Sequence, residues 1–167
     1  SLQVSNLKDI FIHSVEPIKS NYEHLKLNIE SNNIKNIKLY NLALSNENTD
    51  KEMWVSDKNK TGGFAIYNEN DEELKRYDSN NNYKSMVKTI KGDDLFKDTG
   101  SMIALKIDVE RHEKELIYGI KSLLINNKAV IQIEIFDKRK KEVEELLNSI
   151  NFNKFYSIGK DYYFKNY

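Results

Sequence analysis

Cysteine is absent from this 167-residue chain, so neither a disulfide framework nor a thiolate zinc site is open to it. Its three histidines, at 13, 24 and 112, are scattered and make no metal cluster at helical or loop spacing, which leaves carboxylates to carry any metal dependence. Excess charge is missing too. The 26 Lys+Arg balance 26 Asp+Glu, removing the basic surplus on which non-specific nucleic-acid binding draws. No apolar run approaches the roughly 20 residues that span a bilayer. Ser1-Leu2-Gln3-Val4 shows no charged segment followed by an apolar one, as a secretory leader would. Together these lacks predict a cytoplasmic protein with no nucleic-acid partner, no membrane span and no metal. The length suits a single domain over 1–167, large enough to bury a core unaided. Abundant Asn, Lys and Ile match AT-rich coding and point to a bacterial source.

What is present is an alternation of strand and helix patterns. Residues 2–7 read as the tail of a helix and 11–15 as the first strand. Pro17, the only proline, is tolerated in a helix's first turn and opens a helix to about residue 32, with Ile18, Tyr22, Leu25 and Ile29 at helical spacing. Residues 37–44 read as one strand buried on both faces, and 52–56 as another. From 57 to 83 the pattern weakens into Gly and Asn clusters, an irregular lid or surface loop. Strands follow at 86–90, 102–109 and 130–136, with helices at 113–124 and 138–150, the last carrying Val143, Leu146, Leu147 and Ile150 on one face. Residues 155–158 and 162–164 flank Gly159-Lys160-Asp161 as a closing hairpin. This order predicts an α/β three-layer sandwich on a mainly parallel sheet, with a C-terminal antiparallel hairpin.

Two of these strands end in acids just before a helix. Val15 is followed by Glu16-Pro17, and Ile107 by Asp108-Val109-Glu110. Ligands of open α/β sheets bind where strands end and helices begin, so acids placed there face a site, and an acid at such a tip is suited to a ribose. The pair predicts a nucleotide-like ligand.

The ordered set Val15-Glu16-Pro17, Asn21-Tyr22, Leu25, Asn28, Asn36-Ile37, Asn41-Leu42-Ala43-Leu44-Ser45, Gly92-Asp93-Asp94-Leu95 and Leu105-Lys106-Ile107-Asp108-Val109-Glu110, with Glu113 and Gly119, resembles the FkbM family of S-adenosylmethionine-dependent methyltransferases. The resemblance implies a Rossmann-like class I methyltransferase sheet, S-adenosyl-L-methionine as cofactor, and methylation of a hydroxyl on a small molecule or glycan such as a surface-polysaccharide precursor. Homo-oligomerisation is left open. Two departures stand out. The family's Asp-x-Gly-x-Asn-x-Gly loop has no counterpart here, so the chain is expected to begin just past it and to bind the cofactor poorly. Arg111 stands where the family usually has glycine, and a large cation there would crowd the turn or pair with an acid.

Roles follow for individual residues. Glu16, beside Pro17, would accept both ribose hydroxyls; its bland alternative is an acid at a helix N-terminus. Ala43 and Leu44 would pack on the adenine, or simply fill core. Asp108, at the cofactor's edge, is the candidate base or orienting acid, against the alternative of a helix cap. Lys106 and Glu110 share its strand face and form a charge network around it. His112 is an alternative base, though it reads first as a solvated first-turn residue; His13 and His24 read as structural. Asp93 and Asp94 read first as helix caps and second as metal ligands, and Trp54, Tyr67, Tyr77 and Tyr83 as packing or a sugar-stacking platform. The rival to an enzyme is a non-catalytic methyltransferase-like interaction domain. A nicotinamide oxidoreductase ranks last, for want of residues to place a hydride acceptor.

Overall fold

The computed structural model describes residues 9–56, 64–66 and 82–167. The expected helix at 2–7 lies outside them. The first unit is β1 (Ile12–Val15), α1 (Lys19–Ser31) and β2 (Ile37–Tyr40), with β1 and β2 paired in parallel. The β1–α1 junction is built locally. Pro17 sets the backbone, and the Ile18 N–H donates to Glu16 Oε1 at 2.8 Å, satisfying one donor that the helix start leaves open.

The strand expected over 37–44 breaks in two. At Asn41 the side-chain amide donates to the carbonyls of Glu16 and Pro17 at 2.9 and 3.1 Å, holding the chain against the β1–α1 junction. The chain then leaves the first sheet as β3 (Ala43–Ser45), parallel to β6 (Asn82–Lys91). Antiparallel pairing adds β4 (Thr49–Ser56) and β5 (Phe64–Ile66), giving the order β3-β6-β4-β5. Part of the segment read as irregular is therefore strand, and residues 57–63 and 67–81 of it lie outside the described ones. Tyr67 and Tyr77, and the side chain of Tyr83, fall outside as well. Trp54 is buried, with the Lys84 ammonium 5.0 Å from its ring, and so packs rather than offering a face to a sugar.

After α2 (Gly92–Leu95) come β7 (Met102–Ile107), α3 (Glu113–Gly119), α4 (Lys121–Ile125), β8 (Lys128–Glu134), α5 (Asp137–Ser149), β9 (Asn153–Ile158) and β10 (Asp161–Lys165), with strand order β7-β8-β10-β9. The expected closing hairpin is present as antiparallel β9–β10. The helix expected over 113–124 is broken at Ile120 because Asp93 supplies a second start. Its two carboxylate oxygens accept the N–H groups of Ser122 and Leu123, both at 2.9 Å, and so cap α4 from outside.

β7 alternates: Met102 is 72% exposed while Ile107 is buried, because one face packs on the helices and the other does not. The mainly parallel sheet gives way to mixed sheets, since β8–β10, β9–β10, β4–β5 and β4–β6 are all antiparallel. One core unites β7, β8 and β10 with α3 to α5 through Ile117, Leu124, Ile131, Ile133, Leu147 and Phe164. Each such side chain contributes about 1.5–3 kcal/mol by leaving water. Among the described residues no helix is long and apolar enough to cross a membrane.

Candidate functional site

Glu16 stands at the C-terminal end of β1, half-buried, its backbone N–H bonded to the Tyr40 carbonyl at 3.0 Å. Burial raises its carboxyl pKa, opposed by the Ile18 N–H and by the Asn21 side chain. Capping uses one oxygen. An ionised carboxylate accepts about four hydrogen bonds, so the group keeps capacity for a diol. Both readings of Glu16, helix-start acid and ligand acceptor, are thus compatible in one geometry.

β3 lies next to this junction. Ala43 clusters with Ile18, Met53 and Val87, while Leu44, one position on, packs toward the main core. Pro17 is joined to the same region through the Asn41 amide. Glu16 and Pro17 are therefore tied to the start of β3 near Ala43, while Leu44 faces the other way, onto the main core.

The β7–α3 turn holds the other acids. Asp108 is exposed and ion-paired with Lys106 at 3.2 Å, as the strand-face spacing implies. Glu110 is half-buried. Burial first, then the charges of Asp108, Glu134 and Glu113, raise its pKa, with Arg111 opposing. The chain reverses here through two left-handed residues, Glu110 at φ 44° and Arg111 at φ 74°. That explains the family's glycine at 111, because a side chain in this region costs about 1–2 kcal/mol. Contacts hold the strained turn: the Arg111 N–H donates to Glu113 Oε1 at 2.8 Å, Arg139 donates to the Arg111 carbonyl, and the Arg111 guanidinium lies 6.0 Å from the Phe136 ring centre. Both Arg111→Gly and Arg111→Ala lose the guanidinium, and only glycine relieves the backbone. Arg111→Gly should therefore be the more stable of the two by about 1 kcal/mol in urea titrations; equal midpoints would contradict a left-handed turn.

His112 departs from the solvated reading. It is 7% exposed, and its Nε2 meets Ser45 Oγ at 2.9 Å. Ser45 Oγ also lies 3.2 Å from Asn46 Oδ1, so the hydroxyl bridges the His112 ring and the Asn46 side chain. Burial lowers the His112 pKa to about 4 against the raising effect of Glu115, leaving the ring neutral at pH 7. Glu113 is 1% exposed, with its pKa raised by burial.

No hydrogen bond or ion pair joins Glu16 to Asp108 among the described residues; the link between their neighbourhoods runs through β3. Ser45 and Asn41 escaped the sequence reading as functional positions, although both sit in the Asn41–Ser45 segment that carries the family resemblance. His13 stacks on Tyr40 and meets Phe96 edge-on. Asp94 accepts from Asn48 at 2.8 Å. With Asp93 capping α4, both aspartates serve the protein itself.

The family model described as Methyltransferase FkbM domain matches residues 2–156. No curated protein and no solved structure matches the chain.

Proposed function

The chain belongs to the FkbM methyltransferase family, and from that premise we propose that it transfers a methyl group from S-adenosyl-L-methionine to a hydroxyl oxygen, on a sugar or a surface-polysaccharide precursor. In this reading the parallel pair β1–β2 and the parallel pair β7–β8, which lies in a separate four-stranded sheet ended by the β9–β10 hairpin, belong to a Rossmann-like class I methyltransferase fold. Support comes from the parallel pairing of both and from the acids that follow β1 and β7.

The bound cofactor supplies an electrophilic methyl on a sulfonium. The protein's part is to bind, to orient and to take a proton. Glu16 holds the ribose hydroxyls, Pro17 shapes the approach, and Ala43 gives the adenine an apolar neighbour. Displacement at a methyl needs the acceptor oxygen held in line and relieved of its proton. Glu110 is the better proton acceptor, since its raised pKa brings it closer to neutral pH. Asp108, balanced by Lys106, orients the acceptor hydroxyl and lies at the cofactor's edge. His112, neutral and bonded to Ser45, is no longer needed as a base.

The observation that carries this reading is the junction at Glu16: a strand-end acid with spare acceptor capacity, tied through Asn41 to the segment that becomes β3. Calorimetric titration with S-adenosylhomocysteine tests it. Binding is expected, weakened about 30- to 150-fold in Glu16→Ala, as loss of charge-assisted bonds worth about 2–3 kcal/mol requires. No heat with the unaltered protein, or equal affinity in the variant, would overturn it. Arg111 in the strained turn favours a second reading, a non-catalytic domain of the same ancestry, and the absence of binding would support that one.

A further inference from the structure

Two observations converge on Ser45, the last residue of β3. His112, the residue before α3, is hydrogen-bonded through Nε2 to its hydroxyl at 2.9 Å inside the protein. Gly119, the last residue of α3, lies so close that an added Cβ would be 1.8 Å from the Ser45 carbonyl oxygen. Residues 112 and 119 are seven apart, two helical turns, and so share one face of α3. One residue of β3 thereby touches that face at both ends. At its other end β3 begins with Ala43, packed with Ile18 beside the Glu16 junction. The turn carrying Asp108 and Glu110 runs directly into His112. A three-residue strand, pinned at Ser45, thus contacts the neighbourhoods of both acid-bearing junctions.

We propose that Ser45 and His112 form a brace that sets the acid-bearing β7–α3 turn in register with the cofactor-facing end of β3, which makes His112 a positioning residue for methyl transfer. This rests on the function proposed above. The buried setting suits the role, because a hydrogen bond between two groups withdrawn from water is costly to break and fixes both partners. Around the ring stand Glu115 on α3, with an oxygen 3.7 Å from Nδ1, and the charges of Glu47, Lys51 and Arg139. None replaces Ser45 as the partner of Nε2.

The test is hydrogen exchange of the backbone amides of Arg111 and His112, with and without S-adenosylhomocysteine, in the unaltered protein and in Ser45→Ala, His112→Phe and His112→Gln. In Ser45→Ala and His112→Phe these amides should exchange about tenfold faster, while those of β9 and β10 stay as they were. Glutamine, which can still hydrogen-bond to the Ser45 hydroxyl, should restore most of the protection. In the unaltered protein S-adenosylhomocysteine should slow exchange in the turn, and in Ser45→Ala it should not. Unchanged exchange in both Ser45→Ala and His112→Phe, or equal protection of the turn by the ligand in Ser45→Ala, overturns the brace. If S-adenosylhomocysteine fails to bind the unaltered protein, the proposed function falls, and the ligand-free comparison alone decides the brace. A fold-wide loss in one variant would show as faster exchange in β9 and β10, and the brace then stands or falls on the remaining substitutions.

Discussion

Gly119→Ala should cost a large share of the protein's stability and lower its melting midpoint well below that of the unaltered protein. The methyl group would fall 1.8 Å from the Ser45 carbonyl oxygen, 2.6 Å from its carbon and 3.2 Å from the Asn46 nitrogen. All three are backbone atoms, so no side chain can swing aside. Relief requires α3 to withdraw from β3, which would also pull His112 from Ser45 and loosen the core contacts of Leu116 and Ile117. Overpacking of this kind costs about 3 kcal/mol or more, against a total stability of about 5–15 kcal/mol for a domain. Gly159→Ala is the control. Its residue has φ 58° but nothing within 4 Å of the added carbon, so only the left-handed penalty of about 1–2 kcal/mol applies. Thermal unfolding followed by circular dichroism separates the two. A midpoint for Gly119→Ala as high as for Gly159→Ala would mean that α3 does not approach β3 so closely.

Gly119 also shows where the sequence speaks and where it is silent. As a letter in a family pattern it is visible, but its reason is a contact with a residue 74 positions earlier, which no local periodicity can reveal. Elements governed by local rules read well: α1 begins where Pro17 allows it, and α5 follows the spacing of Val143, Leu147 and Ile150. Elements governed by distant partners do not. The break at Ile120 depends on Asp93 reaching across to Ser122 and Leu123, and the split after Tyr40 depends on Asn41 reaching back to Glu16. The same division runs through the candidate site. Glu16, Asp108 and Glu110 are legible because strand-end acids before helices are a chain-local pattern. The burial of His112 is not, because an isolated histidine before a charged helix looks solvated until Ser45 is placed beside it.

The two acids of the β7–α3 turn should part company under substitution. Glu110→Gln is expected to slow methyl transfer about a hundredfold, the scale of a lost general base, and Asp108→Asn less than tenfold, since that exposed carboxylate already shares its charge with Lys106. The pH dependence fixes the assignment. Glu110 must be ionised to accept a proton, and its pKa lies above the ordinary carboxylate value, so turnover should fall as pH drops through that raised value. The limb should vanish in Glu110→Gln. Stability moves the opposite way. A carboxyl whose pKa is raised by folding contributes stability that is fully present below its unfolded pKa and is lost as pH rises through the folded one. At pH 7 the ionised Glu110 therefore works against folding, and glutamine should raise the melting temperature while lowering the rate. A slower and less stable Glu110→Gln would point to a structural acid. A rate loss confined to Asp108→Asn would move the proton acceptor to the strand end.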